Sequence, residues 1–466
     1  MRLTCIAFLL GSSLAASHAI AATFYLDSSV ATSGTGQSWA TAWKSFSNIT
    51  GLLPGDTVYI SGGSTSKAYS VSNWTPTGGT SASPITYAVG QESGHNGIVT
   101  ISSSNFLSGT LHDVVIDGNV GGAQHWSVTA SGYFWEQGGG GTNQRVTLQY
   151  ITVPNMGAGF HWVRVSGTAV DIHHCRFVKD NDSANMQDFI FYGGSGSGLN
   201  QISVHDNYIQ FPIKSSDHSI GDDMWIWPSN IAFYNNTVRG MPRSTYSWSQ
   251  HSDVFQVDRS TNIRVYGNTF IDPGESAFYE DSQGSGTVSG IYIYNNLYVR
   301  TVACNGGAQR IFDMNPEAGG AGTTQYVDMV IANNTIVDHS GTCSFDMRIS
   351  GAGGYTRVYA VNNLGYPSGS SVTADAGVTV SNNYDGTSVQ FVSYVQWAGA
   401  SNDLHLKSTD TVAKDRGRDM STYFTTDKDG NTRTGTWDIG AYEYTGVQSA
   451  PPPGPTPPGG LTAVTR

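Results

Sequence analysis

The sequence predicts an all-β solenoid, a chain wound into stacked coils, and three observations lead there. A short alternating segment ending in Asn recurs many times, the residue before that Asn is always a turn former, and the composition suits turns rather than helices. The copies read "ISVHDNYI" (202–209), "IAFYNNTV" (231–238), "IRVYGNTF" (263–270), "IYIYNNLY" (291–298), "MVIANNTI" (329–336) and "YAVNNLGY" (359–366). Their aligned Asn residues are Asn207, Asn236, Asn268, Asn296, Asn334 and Asn363. Recurrence on the scale of roughly 20 to 50 residues marks stacked repeats. Weaker copies, "VDIHHCRF" (170–177) and "VVIDGNV" (114–120), extend the pattern toward the N-terminus.

Each copy carries alternating β-branched or aromatic positions, then a two-residue turn. The first turn residue is Asp206, Asn235, Gly267, Asn295, Asn333 or Asn362, types that tolerate a left-handed backbone. The second is always Asn. Coils stacked in register align these Asn side chains, which can then hydrogen-bond to one another and to the backbone of adjacent turns. Charged residues are only 12%, glycines number 57 and aromatics reach 11%, as in a β protein with many turns. The formal charge of −12 argues against nucleic acid, which needs basic patches.

On these segments the chain resembles the right-handed parallel β-helix, or pectin-lyase-like, superfamily of secreted polysaccharide-active proteins. The resemblance implies a single β-helix with an internal Asn ladder over 22–446. Its opening part, 22–63, resembles a first coil capped by a short amphipathic helix, and "DLHLKSTDTVAKDRG" (403–417) with "DIGAYEY" (438–444) resembles a closing segment at about 400–446. Arg2, an apolar run through Leu14 and Ala19-Ile20-Ala21 read as a signal peptide, 1–21, for a bacterial extracellular or periplasmic protein. No other apolar run is long enough to span a membrane. Residues 447–466, with "PPPGPTPPGG", read as a Pro-rich linker. Cys304 and Cys343 follow their ladder Asn by similar distances and are expected to form a disulfide, while Cys175 falls on the ladder and is expected to be a buried thiol.

Upstream of each ladder strand lies a second alternating segment, including "DFIFY", "DMWIW" and "DVFQV". Registering these three stacks Asp188, Asp223 and Asp253, one per coil at about 4.8 Å. Like charges that close need a shared proton, a cation such as Ca²⁺, or His and Arg partners. Paired carboxylates also suit glycosidic hydrolysis, one acid protonating the leaving oxygen and one base activating water. The expected roles are acid and base for Asp223 and Asp253, tuned by Asp188, Asp222 and His251. A second polar column is expected from Gln256, Glu280, Asp313 and Asp346, with Arg310 and Arg348 beside the last two. Trp225, Trp227, Tyr246, Trp248, Phe255 and Tyr279 offer faces for sugar rings, and Arg243 offers a cation. "DKDGN" (427–431) looks like part of a Ca²⁺ loop, against which stands a plain Gly turn.

The order Asp188, Asp222-Asp223, His251 resembles that of polygalacturonase-type glycoside hydrolases. That resemblance implies a glycoside hydrolase acting as a monomer on a long glycan, with no cofactor required. Neither Gly-His-Gly nor Arg-x-Lys is present, which weakens the match to a pectic substrate. One alternative is a polysaccharide lyase, which neutralises a uronate carboxylate with a cation or Arg and removes the neighbouring proton. Arg239, Arg243, Tyr246 and His251 could build such a site, with Asp188, Asp223 and Asp253 holding Ca²⁺. Another alternative is a carbohydrate-binding β-helix without catalysis.

Overall fold

Thr23–Leu26 pairs in parallel with Thr57–Ile60, and the same parallel pairing repeats coil by coil to Val378–Ser381. The result is a right-handed parallel β-helix. The computed structural model describes residues 21–136, 143–154, 161–179, 187–192, 202–211, 224–227, 230–240, 253–257, 260–274, 276–280, 282, 284–301, 309–316, 320–338, 345–367, 371–395 and 402–446. Within these, the side chains of 161–166, 187–192, 224–227, 309 and 345–346 stand outside the description.

Each complete coil has three runs of strand. A front run (Gln187–Tyr192, Met224–Trp227, Asp253–Val257, Ser276–Glu280, Gln309–Met314, Phe345–Ile349) leads into a middle run (Ile202–His205, Ile231–Tyr234, Thr261–Tyr266, Thr287–Tyr294, Gln325–Ala332, Gly354–Val361). A short rear run follows the Asn turn (Tyr208–Gln210, Thr237–Arg239, Thr269–Ile271, Leu297–Arg300, Thr335–Asp338, Leu364–Tyr366). Front and middle runs merge through His161–His173, which pairs with Gln187–Tyr192 at its start and Ile202–His205 at its end.

The turn between middle and rear runs works as its sequence requires. Its first residue has positive φ on every ladder coil: Asp206 (54°), Asn235 (55°), Gly267 (68°), Asn295 (53°), Asn333 (52°) and Asn362 (57°). At Gly267 a Cβ would lie 2.5 Å from Asn235 Oδ1, so close approach reinforces the choice of glycine. The second residue is the ladder. Asn268 donates its main-chain N–H (3.0 Å) and its Nδ2 (3.0 Å) to Asn296 Oδ1, and Nδ2 also reaches Phe233 O at 2.9 Å. Its own Oδ1 accepts the main-chain N–H and the Nδ2 of Asn236 at 2.9 and 3.1 Å. The same set links Asn207 through Asn363 to Asn383, one rung beyond those the repeats reveal. Cys175 stands one coil earlier as a buried free thiol, its main-chain N–H bonded to Asn207 Oδ1 at 2.8 Å.

Inside, apolar side chains stack in columns. Met224, Phe255, Phe278, Phe312 and Met347 are successive register partners, and the described members of that column are fully buried. The expected capping helix over the first coil is corrected. Two single-turn 3₁₀ elements, Trp39–Thr41 and Phe46–Asn48, occupy that stretch. Trp43 stacks on Phe24 at 5.0 Å and Phe46 packs edge-on against Tyr69 and Trp74, so bulky aromatic rings cover the coil without an α-helix. At the other end the closing segment seats buried Arg433 against Glu443, Asn295 and two carbonyls.

Replacing Asn268 with Ala leaves the buried Asn236 N–H without its acceptor and removes the side-chain donor to Phe233 O and one of the two donors to Asn296 Oδ1. Urea denaturation should show a loss of roughly 3 kcal/mol. An unchanged midpoint would mean that the ladder contributes little.

Candidate functional site

The front run faces outward at alternate positions, and its register decides which groups reach the surface. Met224 lies opposite Phe255, Trp225 opposite Gln256 and Ile226 opposite Val257. That is one residue later than the alignment of "DMWIW" with "DVFQV" implies. A one-residue slip exchanges the faces of a strand. Phe255 is therefore core rather than a sugar platform. Gln256, Tyr279, Asp313 and Arg348 form the outward column, and Glu280 is one step off it.

Two expectations are corrected here. Glu280 pairs in register with Val257 and Met314 on the inner side, has no exposed surface, and accepts from the hydroxyl of buried Tyr326 at 2.5 Å. It cannot meet a glycan. Asp253 is also completely buried, at 0% exposure, and its Oδ1 accepts the main-chain N–H of Ser276 at 3.1 Å. It stands in no open face, contrary to the acid or base role expected of it.

Asp313 is where charge does reach the surface. Arg348 grips it with two parallel bonds, Nε to Oδ1 at 2.6 Å and Nη2 to Oδ2 at 2.7 Å. Arg310 adds Nη1 to Oδ2 at 3.3 Å. The carboxylate side chain is only 7% exposed, whereas Arg310 and Arg348 are 33% and 26% exposed. Two guanidiniums on one carboxylate give this triad a formal charge of +1, and its more accessible part is the cation. Planar guanidinium groups held this way are preorganised to receive a second carboxylate.

Sequence reasoning missed a second constellation, on the middle run. His173, His205, Tyr234, Tyr266 and Tyr294 are successive register partners. Their rings stack at 4.9, 4.6, 4.9 and 5.0 Å, within 8° of parallel, and Phe424 of the closing segment continues the stack at 4.3 Å. The signal was present: four consecutive repeats carry His205, Tyr234, Tyr266 or Tyr294 immediately before the left-handed turn residue, and the weaker copy at 170–177 carries His173, whereas the last two repeats carry Ala332 and Val361. His205 lies between two carboxylates, Nε2 3.0 Å from Asp171 Oδ1 and Nδ1 2.7 Å from Asp206 Oδ2. Burial disfavours its charge, but the two carboxylates outweigh this and raise its pKa to about 9. His173, whose Nδ1 is 2.8 Å from that of His174, is shifted down, mainly by burial.

Asp222, Asp223, Arg243, Tyr246, Trp248, His251, Cys304 and Cys343 lie outside the described residues, as do the side chains of Asp188, Trp225, Trp227 and Asp346 and segments 1–20 and 447–466. Among the described residues no cluster of three or more His, Cys, Asp or Glu is arranged to hold a metal ion. The 427–431 stretch is a turn about buried Asp427, whose carboxylate accepts from the main chain of Asp429, Asn431 and Glu443.

The fold defines the class of molecule, a parallel β-helix with polar outer faces. Among solved structures the chain is similar to pectate lyase Pel9A, at 15% identity over 91% of this chain and 97% of that one, with a TM-score of 0.44. It is also similar to a rhamnogalacturonan lyase, at 13% identity over 83% and 97%, with a TM-score of 0.37. No protein-family model and no curated protein matches it. The expected preference for a glycoside hydrolase does not stand. The described front-run carboxylates, buried or locked to arginine, supply no open acid–base pair.

The sign of His205's contribution follows from its raised pKa. Stability from its charge is fully present below the ordinary imidazole value near 6.5 and is lost as pH climbs through about 9. His173 acts oppositely: with its pKa lowered, folding opposes its charge, so its cost appears as pH falls below 6.5. The melting temperature should decline from neutral pH toward pH above 9, and His205→Gln should flatten that limb. A His205→Gln profile parallel to wild type would contradict the assignment.

Proposed function

We infer that this chain is a secreted polysaccharide-active enzyme of the lyase type, cleaving a uronate glycan by β-elimination as the glycan lies along the front run. The observation that supports this reading is the Arg310–Asp313–Arg348 cluster, a fixed net cation on the outer face of a chain whose formal charge is −12. β-Elimination requires the uronate carboxylate to be neutralised so that the neighbouring C–H becomes acidic enough to lose its proton. Guanidiniums already oriented by Asp313 would do this with little reorganisation. Tyr279 precedes Asp313 in the same column, is part-exposed, and would contact an adjoining sugar unit, whereas Gln256 is buried beneath that face.

In this reading the base is a group next to the arginine cluster, and Asp188, Asp222, Asp223 and His251, which belong to coils two to four earlier, would hold neighbouring units of the same glycan. A Ca²⁺ ion on Asp188 and Asp223 would neutralise the carboxylate of another uronate unit of the same chain. Chelation then slows the reaction without abolishing binding to the arginines.

The test is a panel of polysaccharides, uronate-containing and neutral, followed by ultraviolet absorbance and reducing-end assay. The expected result is an unsaturated uronate product from one uronate glycan. Arg348→Gln should lower kcat/KM by about 10²-fold with the fold intact by circular dichroism. New reducing ends without the unsaturated chromophore would contradict the lyase reading, and binding without any product would make the chain a carbohydrate-binding β-helix.

A further inference from the structure

A concave hollow of about 370 Å³ opens on the outer face of the middle run, over coils from His112–Asp117 to Ile202–His205, overlapping the start of the His-Tyr stack. Two neighbouring columns of outward side chains make it. In one, Val115, Thr147, Asp171 and Ser203 are successive register partners. The other is a column of corner residues with positive φ, Asp113, Arg145 and Ala169. The columns shrink on successive coils. Arg145 gives way to the methyl group of Ala169, and Asp171 gives way to the hydroxymethyl of Ser203. The space so vacated is walled by the Asp113–Arg145 ion pair on one side and by Asp171 on the other.

Corner ion pairs recur in this solenoid, as Arg357 with Asp328 shows, so the Arg145 pair alone would be structural. What distinguishes the hollow is the second wall. The Asp171 carboxylate is 37% exposed and is oriented from behind by His205, whose other nitrogen is fixed by Asp206. With Thr147 and Ser203 hydroxyls between the walls, the lining offers carboxylate acceptors, guanidinium donors and hydroxyls that serve as either. Counting Asp113, Arg145, Asp171, His205 and Asp206, with His205 protonated, the local charge is −1. Such a surface disfavours an anion and favours a ligand that donates several hydroxyl hydrogens, since a carboxylate accepts these in short, charge-assisted bonds. The volume is within the range of small-ligand sites, roughly 300–1,000 Å³.

We propose that this hollow is a subsite for a neutral sugar unit of a glycan, held by Asp171 and Arg145 and separate from the front-run arginine cluster. It does not rest on the lyase reading. A chain that binds neutral sugar here could anchor a mixed glycan or a wall polymer while another part of the same polymer meets the front run.

The experiment is isothermal titration of the full chain with xylohexaose, cellohexaose and mannohexaose, and with trigalacturonate as the acidic comparison. Ser203→Trp fills the hollow without removing either ion pair, and Asp171→Asn removes the acceptor charge while keeping its shape. At least one neutral hexasaccharide should bind, with affinity reduced at least about tenfold in both variants, and trigalacturonate affinity should be unchanged by Ser203→Trp. Absence of binding by all three neutral oligosaccharides at about 10 mM would overturn the proposal. So would undiminished binding to the Ser203→Trp chain, or trigalacturonate binding that Ser203→Trp abolishes. Loss of lyase activity in Arg348→Gln leaves this outcome untouched, so the two readings fail separately.

Discussion

The coil-to-coil register is the constraint on which the molecule depends, and the Asn ladder is its most specific determinant. Each ladder Asn uses one oxygen to accept two hydrogens from the coil before it, and spends its own amide hydrogens on the coil after it and on a carbonyl behind. An amide buried in an apolar shaft is costly unless its groups are paired, so a coil that slips breaks several bonds together. The turn residue ahead of the ladder, fixed in a left-handed backbone, leaves the Asn one direction to point. Register then propagates to everything else: core columns, ring stacks and corner ion pairs repeat at about the strand spacing of 4.8 Å.

The same vertical order gives each face its own chemistry. On the front run it sets Gln256, Tyr279, Asp313 and Arg348 above one another and turns Glu280 into the core, where Tyr326 satisfies it. On the middle run it lays His173, His205 and three tyrosines ring on ring. Because those rings cover each other's faces, they present edges and polar atoms to solvent rather than flat platforms for sugars. His205, charged between Asp171 and Asp206, lies within this stack and gains from the π face of Tyr234 on one side. Further along, the closing segment covers the stack: Phe424 lies on Tyr294, and Asn333 and Asn362 donate side-chain hydrogens to its carbonyls. Covering the last coils keeps their polar edges from pairing with another chain.

The fold was legible because its signals are local. A left-handed turn type followed by Asn states a backbone conformation and a hydrogen-bonding need within two residues, and Cys175 and the closing segment could be read beside them. The front run was not legible to the same depth. Its alternation is period two, so an alignment wrong by one residue looks as regular as the right one, and Phe255 and Glu280 were assigned to the wrong face. Asp253 differs for another reason: a carboxylate at a strand start reads as surface, yet the coil packs it against Ser276 with no exposure. The His-Tyr stack was visible in the aligned repeats but passed as alternation, since stacking of identical positions between coils has no signature within one coil. The capping helix failed because an amphipathic stretch of Trp and Phe can cover a coil from single turns.

Native-state amide hydrogen exchange tests the register account most directly. If stacked coils are held by one continuous ladder, the main-chain amides of Asn207, Asn236, Asn268, Asn296, Asn334 and Asn363 should exchange slowly and share a single opening free energy. Separate opening energies for successive rungs, or exchange as fast as that of exposed turns, would show that the coils are held individually and that the ladder does not set their order.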